Sequence, residues 1–282
     1  MRRRRFLAGL GATILIGCAP GAAFGEAPFE PTRFTVEVRG TGPDVILIPG
    51  LTAGREVFAG TVAAVPGYRY HLLHVGGMAG APAGANAGGA IVAPLADELV
   101  RYIDSRGLRP ALVGHSMGGT VAMMIASRRP ELVERLMVVD MYPQPAGLVG
   151  GSAQQLGGLA ERLGDLTSTP GGRRLVGDLI GSFGTNGPRG RSDPDVVARA
   201  MRELAAVDLT PELARIRAPL TVLYANTDAR SAARTDAGFR TAYARARGAA
   251  FVRVDGSGHM IMFDQPARFH EAVRTFLAPA AQ

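Results

Sequence analysis

The sequence contains no lysine, and only one of its 282 residues is a cysteine. Each absence excludes something. Without lysine there can be no phosphate loop of the G-x-x-x-x-G-K-[ST] kind, which needs an ammonium to reach the phosphates. With Cys18 as the only thiol no internal disulfide can form, so the folded domain must be held by its core. There is no cysteine pair and no H-x-x-x-H or H-E-x-x-H spacing, so neither a metal nor any other cofactor is expected.

Acidic residues are the minority, 24 against 31 basic ones, for a formal net charge of +7. Every basic residue is arginine, which with the abundance of Ala and Gly reads as genome composition bias. Arg2, Arg3, Arg4 and Arg5 supply four of those charges, and without the acid-free first 25 residues the net charge falls to +3. No nucleic acid or other acidic partner is inferred from it. A hydrophobic content of 47% is ample for one globular domain with a modest insertion, and no internal repeat is present.

The N-terminus reads as a bacterial export signal spanning residues 1–25. Arg2–Arg5 form a basic region, Phe6–Gly17 an apolar region too short to span a bilayer, and small residues follow. Arg3-Arg4-Arg5-Phe6-Leu7 resembles the twin-arginine export motif, and Leu15-Ile16-Gly17-Cys18 a lipobox. Two outcomes stay open: a lipid anchor on Cys18, the one route to a membrane, or cleavage after Ala23-Phe24-Gly25. The expected location is therefore periplasmic, secreted or lipid-anchored.

Downstream, periodicity alternates between strand and helix. Phe34–Val38 alternates apolar and polar residues, whereas Val45–Ile48 is a continuous apolar run suited to a strand buried on both faces. Tyr68–Val75 is a third strand, followed by a glycine-rich loop over 76–90 read as mobile and near the site mouth. Pro94–Arg106 sets Leu95, Leu99 and Ile103 on one helical stripe. Strands at Ala111–Val113, Arg135–Asp140, Leu220–Ala225 and Ala250–Val254 then alternate with helices at Met117–Ser127, Ala232–Arg247 and Gln265–Leu277. This is the pattern of an α/β fold: a mostly parallel sheet with helices on both faces. Residues 26–143 and 211–282 are read as the core, and 144–210 as a glycine-rich helical lid inserted between strands. Apolar lid residues such as Leu156, Leu159, Leu175 and Phe183 are expected to roof an apolar pocket.

Gly114-His115-Ser116-Met117-Gly118 fits G-x-S-x-G, and it follows a buried strand and opens a helix. The chemistry explains the spacing: a serine lifted on so tight a turn needs near-absent side chains two residues to either side. The alternative is a glycine-rich strand–helix turn whose serine merely caps the helix. In that setting Val113–Gly119 resembles the nucleophile elbow of the α/β-hydrolase superfamily, and the resemblance extends over the chain after the signal.

A serine hydroxyl needs a general base, and His259, between the last strand and the last helix, is the candidate. His71, His74, His115 and His270 are read as structural. The base in turn needs a carboxylate to fix its tautomer. Asp228, just past the Leu220–Ala225 strand, is preferred; Asp140, at the end of the strand before the lid, is its rival. The resemblance implies an oxyanion hole from the backbone N–H groups of Leu51 and Met117, although Pro49 stands where the family often has histidine. The expected activity is hydrolysis of a carboxylic ester or lactone, a small molecule with an apolar group, through an acyl-Ser116 intermediate. A proline-iminopeptidase-like exopeptidase (with Glu161 and Asp165 holding the amine), a C–C bond hydrolase and a non-catalytic binding protein remain alternatives.

Overall fold

A computed structural model describes residues 29–146 and 192–279. Seven strands, β1 (Phe34–Arg39), β2 (Asp44–Ile48), β3 (Arg69–Val75), β4 (Ala111–His115), β5 (Arg135–Val139), β6 (Leu220–Asn226) and β7 (Ala250–Asp255), make one sheet. Their order is β1-β3-β2-β4-β5-β6-β7. The β1–β3 pairing is antiparallel and the others are parallel, with Ile48 beside Gly114 and His115 beside Val139. The described helices are α1 (Ala59–Ala64), α2 (Val92–Ser105), α3 (Met117–Arg128), α4 (Pro194–Ala206), α5 (Ala232–Ala242), α6 (Ile261–Asp264) and α7 (Pro266–Leu277).

The apolar run of β2 is explained by two cores. Ile46 and Ile48 join the larger cluster with α2 and α3, while Val45 and Leu47 face the smaller one with Phe58, Phe269 and Val273. Successive strand residues point to opposite faces, so only a strand covered on both sides can be apolar throughout. Because β4 lies against β2 rather than β3, the chain reverses direction across the sheet there. The crevice outside the carboxyl ends of β2 and β4 is then the natural place for a site.

Two expectations about loops are corrected. The 76–90 segment read as mobile is anchored: fully buried Asn86 donates its amide to the carbonyls of Arg33 (2.9 Å) and Gly76 (3.0 Å). The C-terminal part of the segment read as lid is core, because α4 buries Val196, Val197, Ala200 and Leu204 in the larger cluster. Asp193 caps α4 through the N–H groups of Asp195 and Val196, and its own N–H donates to Gly77 O at 2.7 Å. From the other end of α4, the Glu203 carboxylate accepts from the N–H groups of Ile91 and Val92, the uncapped start of α2. The export signal, Cys18, Glu161, Asp165 and the lid residues 147–191 lie outside the described residues. Helix α5 ends at Ala242 rather than Arg247. Beyond it Tyr243 is pulled into the core, where its hydroxyl donates to Met141 O at 2.7 Å.

Candidate active site

The local sequence builds the turn between β4 and α3. Ser116 has φ 54° and ψ −123°, a left-handed backbone that costs on the order of 1–3 kcal/mol and persists only where its surroundings impose it. They do impose it. A Cβ at position 114 would meet Gly118 O at 2.2 Å, and one at 118 would meet Ile48 O at 2.2 Å. The flanking glycines are therefore required by close approach of the backbone. Ser116 makes no side-chain cap to α3, which removes the capping-serine alternative. It is partly accessible, whereas its neighbours on both sides are buried.

Thr52 (φ 63°) after β2 and Asp140 (φ 49°) after β5 are likewise left-handed. Backbone strain thus gathers at the carboxyl ends of β2, β4 and β5, where strained residues usually mark function.

Asp140, not Asp228, meets His259. Its Oδ2 lies 2.7 Å from His259 Nδ1, and its Oδ1 accepts the N–H of Ala225 at 3.0 Å. The carboxylate is 7% exposed, so each oxygen needs the partner it has. Its turn backbone aims it back across the end of the sheet. The preference for Asp228 is corrected by this geometry. Asp228 is turned outward, where Oδ1 accepts from Arg230 N (2.9 Å) and Oδ2 from Arg230 Nε (3.0 Å). That guanidinium holds its carboxyl below the usual range.

Asn226 fixes the outward turn. Its amide donates to Asp228 O (3.0 Å) and Asp255 Oδ1 (2.8 Å), while its Oδ1 accepts from Ser231 and Thr235. The sequence held a signal: Asp228 two residues before Arg230 is a typical turn-capping arrangement, and Asp140 directly follows the apolar run Leu136–Val139.

The two backbone segments named for the oxyanion hole flank Ser116. Met117 is the first residue of α3, where orphan N–H groups favour negative charge. On the other side, a Cβ at Gly50, next to Leu51, would stand 2.9 Å from Ser116 Cβ. Among the described residues no group of three or more His, Cys, Asp or Glu is placed to hold a metal ion.

A serine on a strained elbow directly after β4 and a carboxylate-bound histidine after β7 now share the carboxyl end of the sheet, with His115, the residue before the serine, packing its ring 4.7 Å from that of His259. The model of the alpha/beta hydrolase family matches residues 45–272. The chain belongs to the alpha/beta hydrolase family. Similar proteins include the pimeloyl-[acyl-carrier protein] methyl ester esterase of Shewanella sp. (strain MR-7). It is 24% identical over 222 residues, which are 71% of this chain and 79% of that protein. The sn-1-specific diacylglycerol lipase ABHD11 of Mus musculus is 50% identical over 50 residues, 17% of this chain and 16% of the lipase. Such short matches span less than a fifth of those relatives' length. Among solved structures, a hydrolase from Pseudomonas aeruginosa PA01 superposes with a TM-score of 0.69 at 19% identity, covering 87% of this chain and 94% of that one. An esterase from Thermogutta terrifontis gives 0.68 at 23%, covering 86% and 92%.

Within this alpha/beta hydrolase, a cleft of about 480 Å³ opens on the His259 side. Tyr142, Thr227, Ser231 and Arg234 line it beside Asp140 and His259. Tyr142 and Arg234 were not singled out by sequence reasoning, since one follows a strand end and the other lies on an exposed helix face.

Proposed function

We propose that the protein is a serine hydrolase that cleaves a carboxylic ester or lactone, with Ser116 as nucleophile, His259 as general base and Asp140 as the acid that orients it. The observation carrying this reading is the 2.7 Å contact between Asp140 and His259, whose ring packs 4.7 Å from that of His115, the residue before Ser116. Asp140 accepts from Nδ1, which leaves Nε2 of His259 bare to take the hydroxyl proton. Ser116 Oγ adds to the carbonyl carbon, and the oxyanion is held by the N–H groups of Leu51 and Met117. His259 returns its proton to the leaving oxygen as the C–O bond breaks. Water, deprotonated by the same histidine, then releases the acid from the acyl-Ser116 ester and restores the hydroxyl.

Ester chemistry is favoured by names among the relatives: a putative esterase/lipase of Haemophilus influenzae and the Shewanella methyl ester esterase. A lactone substrate is suggested by the fold shared with the enol-lactonase of Burkholderia xenovorans LB400. A substrate with an apolar acyl or alcohol group is the expected preference.

The test is a hydrolysis panel of graded acyl esters, lactones and aminoacyl amides, with Ser116→Ala as control and a fluorophosphonate probe for the serine. Turnover of esters that Ser116→Ala loses by several orders of magnitude supports the reading. Near-normal turnover in that variant overturns it, and absence of both labelling and turnover favours a binding protein. We also propose that residues 1–25 direct export. Intact mass after expression in a bacterial host should show a chain starting at lipid-modified Cys18 or near Glu26, and a retained Met1 would reject it.

A further inference from the structure

His115 lies between Ser116 and His259 and belongs to neither role assigned above. It is 2% exposed, the last residue of β4, and its ring centroid is 4.7 Å from that of His259. Its Nε2 lies 3.0 Å from the backbone carbonyl oxygen of His259. A carbonyl only accepts, so Nε2 carries the proton and Nδ1 is bare. Nδ1 is buried without a hydrogen-bond partner, and it faces Gly50: a Cβ there would be 2.9 Å from this nitrogen and 2.9 Å from Ser116 Cβ. One ring therefore touches all three segments that hydrolysis must hold in register. These are the elbow, the His259 loop and the turn after β2.

The His259 loop is also tied on either side of its histidine: Met260 O accepts from the N–H groups of Phe263 (2.8 Å) and Asp264 (3.0 Å), and Ser257 Oγ donates to Gly258 O (2.9 Å). The Nδ1 bond to Asp140 fixes the ring, and Gly258 N–H donates to Asp264 Oδ2 at 2.8 Å. The backbone of His259 itself is held by His115. Burial, and then the neighbouring His259, push the His115 imidazole down to about 3, so it stays neutral at neutral pH. A permanently neutral donor beside the base can hold it without competing for its proton. A leucine would fill the same space without stranding a ring nitrogen, so the imidazole is explained by its one hydrogen bond.

We propose that His115 is a positioning residue for the reaction: its Nε2–H holds the backbone of His259, and its ring, packed on Gly50, sets the spacing of base, nucleophile and oxyanion loop. This rests on the serine-hydrolase reading and deepens it.

The test compares three variants in the full chain, on the ester the panel selects. Glutamine carries its Nε2 the same number of bonds from Cβ as histidine does, so His115→Gln keeps the donor in place. His115→Asn has a donor one bond too short, and His115→Leu has none. Misplacing a base by about 1 Å costs on the order of 10²-fold, so kcat per folded molecule should fall by that order in the Leu and Asn variants, with KM nearly unchanged. Fluorophosphonate labelling should slow in parallel, and His115→Gln should recover most of both.

A role in folding alone would lower the melting temperature and leave kcat of the folded fraction intact. That result, or a Gln variant no faster than Asn, overturns the proposal. If His115→Leu does not fold, the comparison of Gln with Asn decides. Ser116→Ala separates the two failures: activity surviving there defeats the hydrolase reading, whereas its loss alongside a normal His115→Leu defeats only the brace.

Discussion

His259 Nδ1 lies 2.7 Å from Asp140 Oδ2, while Asp228, the carboxylate in the expected place on the chain, pairs instead with Arg230. In the proposed mechanism the acid therefore lies one strand nearer the nucleophile than Asp228 would. Asp140→Asn is expected to cut kcat by on the order of 10⁴-fold, because the amide presents a donor to His259 and favours the wrong tautomer. Asp228→Asn should stay near wild type, since it loses only a solvent-screened pair with Arg230. Steady-state kinetics on both variants checks this, and the opposite ranking would return the acid to Asp228.

The elbow predicts a steep difference between adjacent glycines. In Gly118→Ala the new methyl would sit 2.2 Å from Ile48 O and 2.7 Å from Pro49 O, both rigid backbone. In Gly119→Ala the nearest atom is Val138 Cγ1 at 3.0 Å, a side chain that can yield. Overpacking of this kind costs about 1–3 kcal/mol, and Gly118→Ala should lie at or beyond the upper end. Urea midpoints of the two variants give the comparison, and equal loss would mean the turn relaxes freely.

Stability should fall as the solution is acidified, with His115 a main cause. Burial and His259 lower it from an ordinary 6.5 to about 3, so below pH 6.5 the unfolded chain binds a proton that the folded one refuses. Its contribution is complete above 6.5 and is lost on the way down to 3, by up to about 1.4 kcal/mol per pH unit. His71 acts in the same direction, because burial lowers it more than Asp44 restores it. Urea unfolding of wild type and His115→Gln between pH 7.5 and 5 should show a shallower slope in the variant. Identical slopes would show that His115 is protonated in the folded state.

Glu203 should behave as a clamp between α4 and the core. It supplies the acceptor for two N–H groups at the start of α2, a place where negative charge is also favoured. Glu203→Ala should cost about 1–3 kcal/mol, and Glu203→Gln less, because one acceptor oxygen remains. Hydrogen exchange would report it directly, as loss of protection at Ile91 and Val92 before the rest of α2. Unchanged protection there would show that water replaces the carboxylate.

Much of this protein was legible in the chain. The alternation of Phe34–Val38, the unbroken run Val45–Ile48 and the stripe of Leu95, Leu99 and Ile103 announced their elements, because each period is set by the local geometry of strand or helix. The elbow was legible for the same reason: Gly114, Ser116 and Gly118 lie within one turn, and the sterics that require them act over a few bonds. The helix at Pro194–Ala206 was harder to place. Its sequence shows a helix, but whether a helix caps a pocket or fills a core depends on what lies beneath it, here α2 and the Gly77 loop.

The choice between Asp140 and Asp228 lay further still from local rules. Both follow a buried strand and both precede His259, so order along the chain does not separate them. Asn226 turns one carboxylate to solvent, and a left-handed backbone at Asp140 swings the other under an imidazole 119 positions away. The sequence by itself determined the strands, the helices, the serine on its elbow and the histidine after the last strand, since these follow from neighbours in the chain. The tertiary structure alone decided which carboxylate meets that histidine and which buried imidazole holds its backbone, because those contacts depend on how strand ends pack side by side.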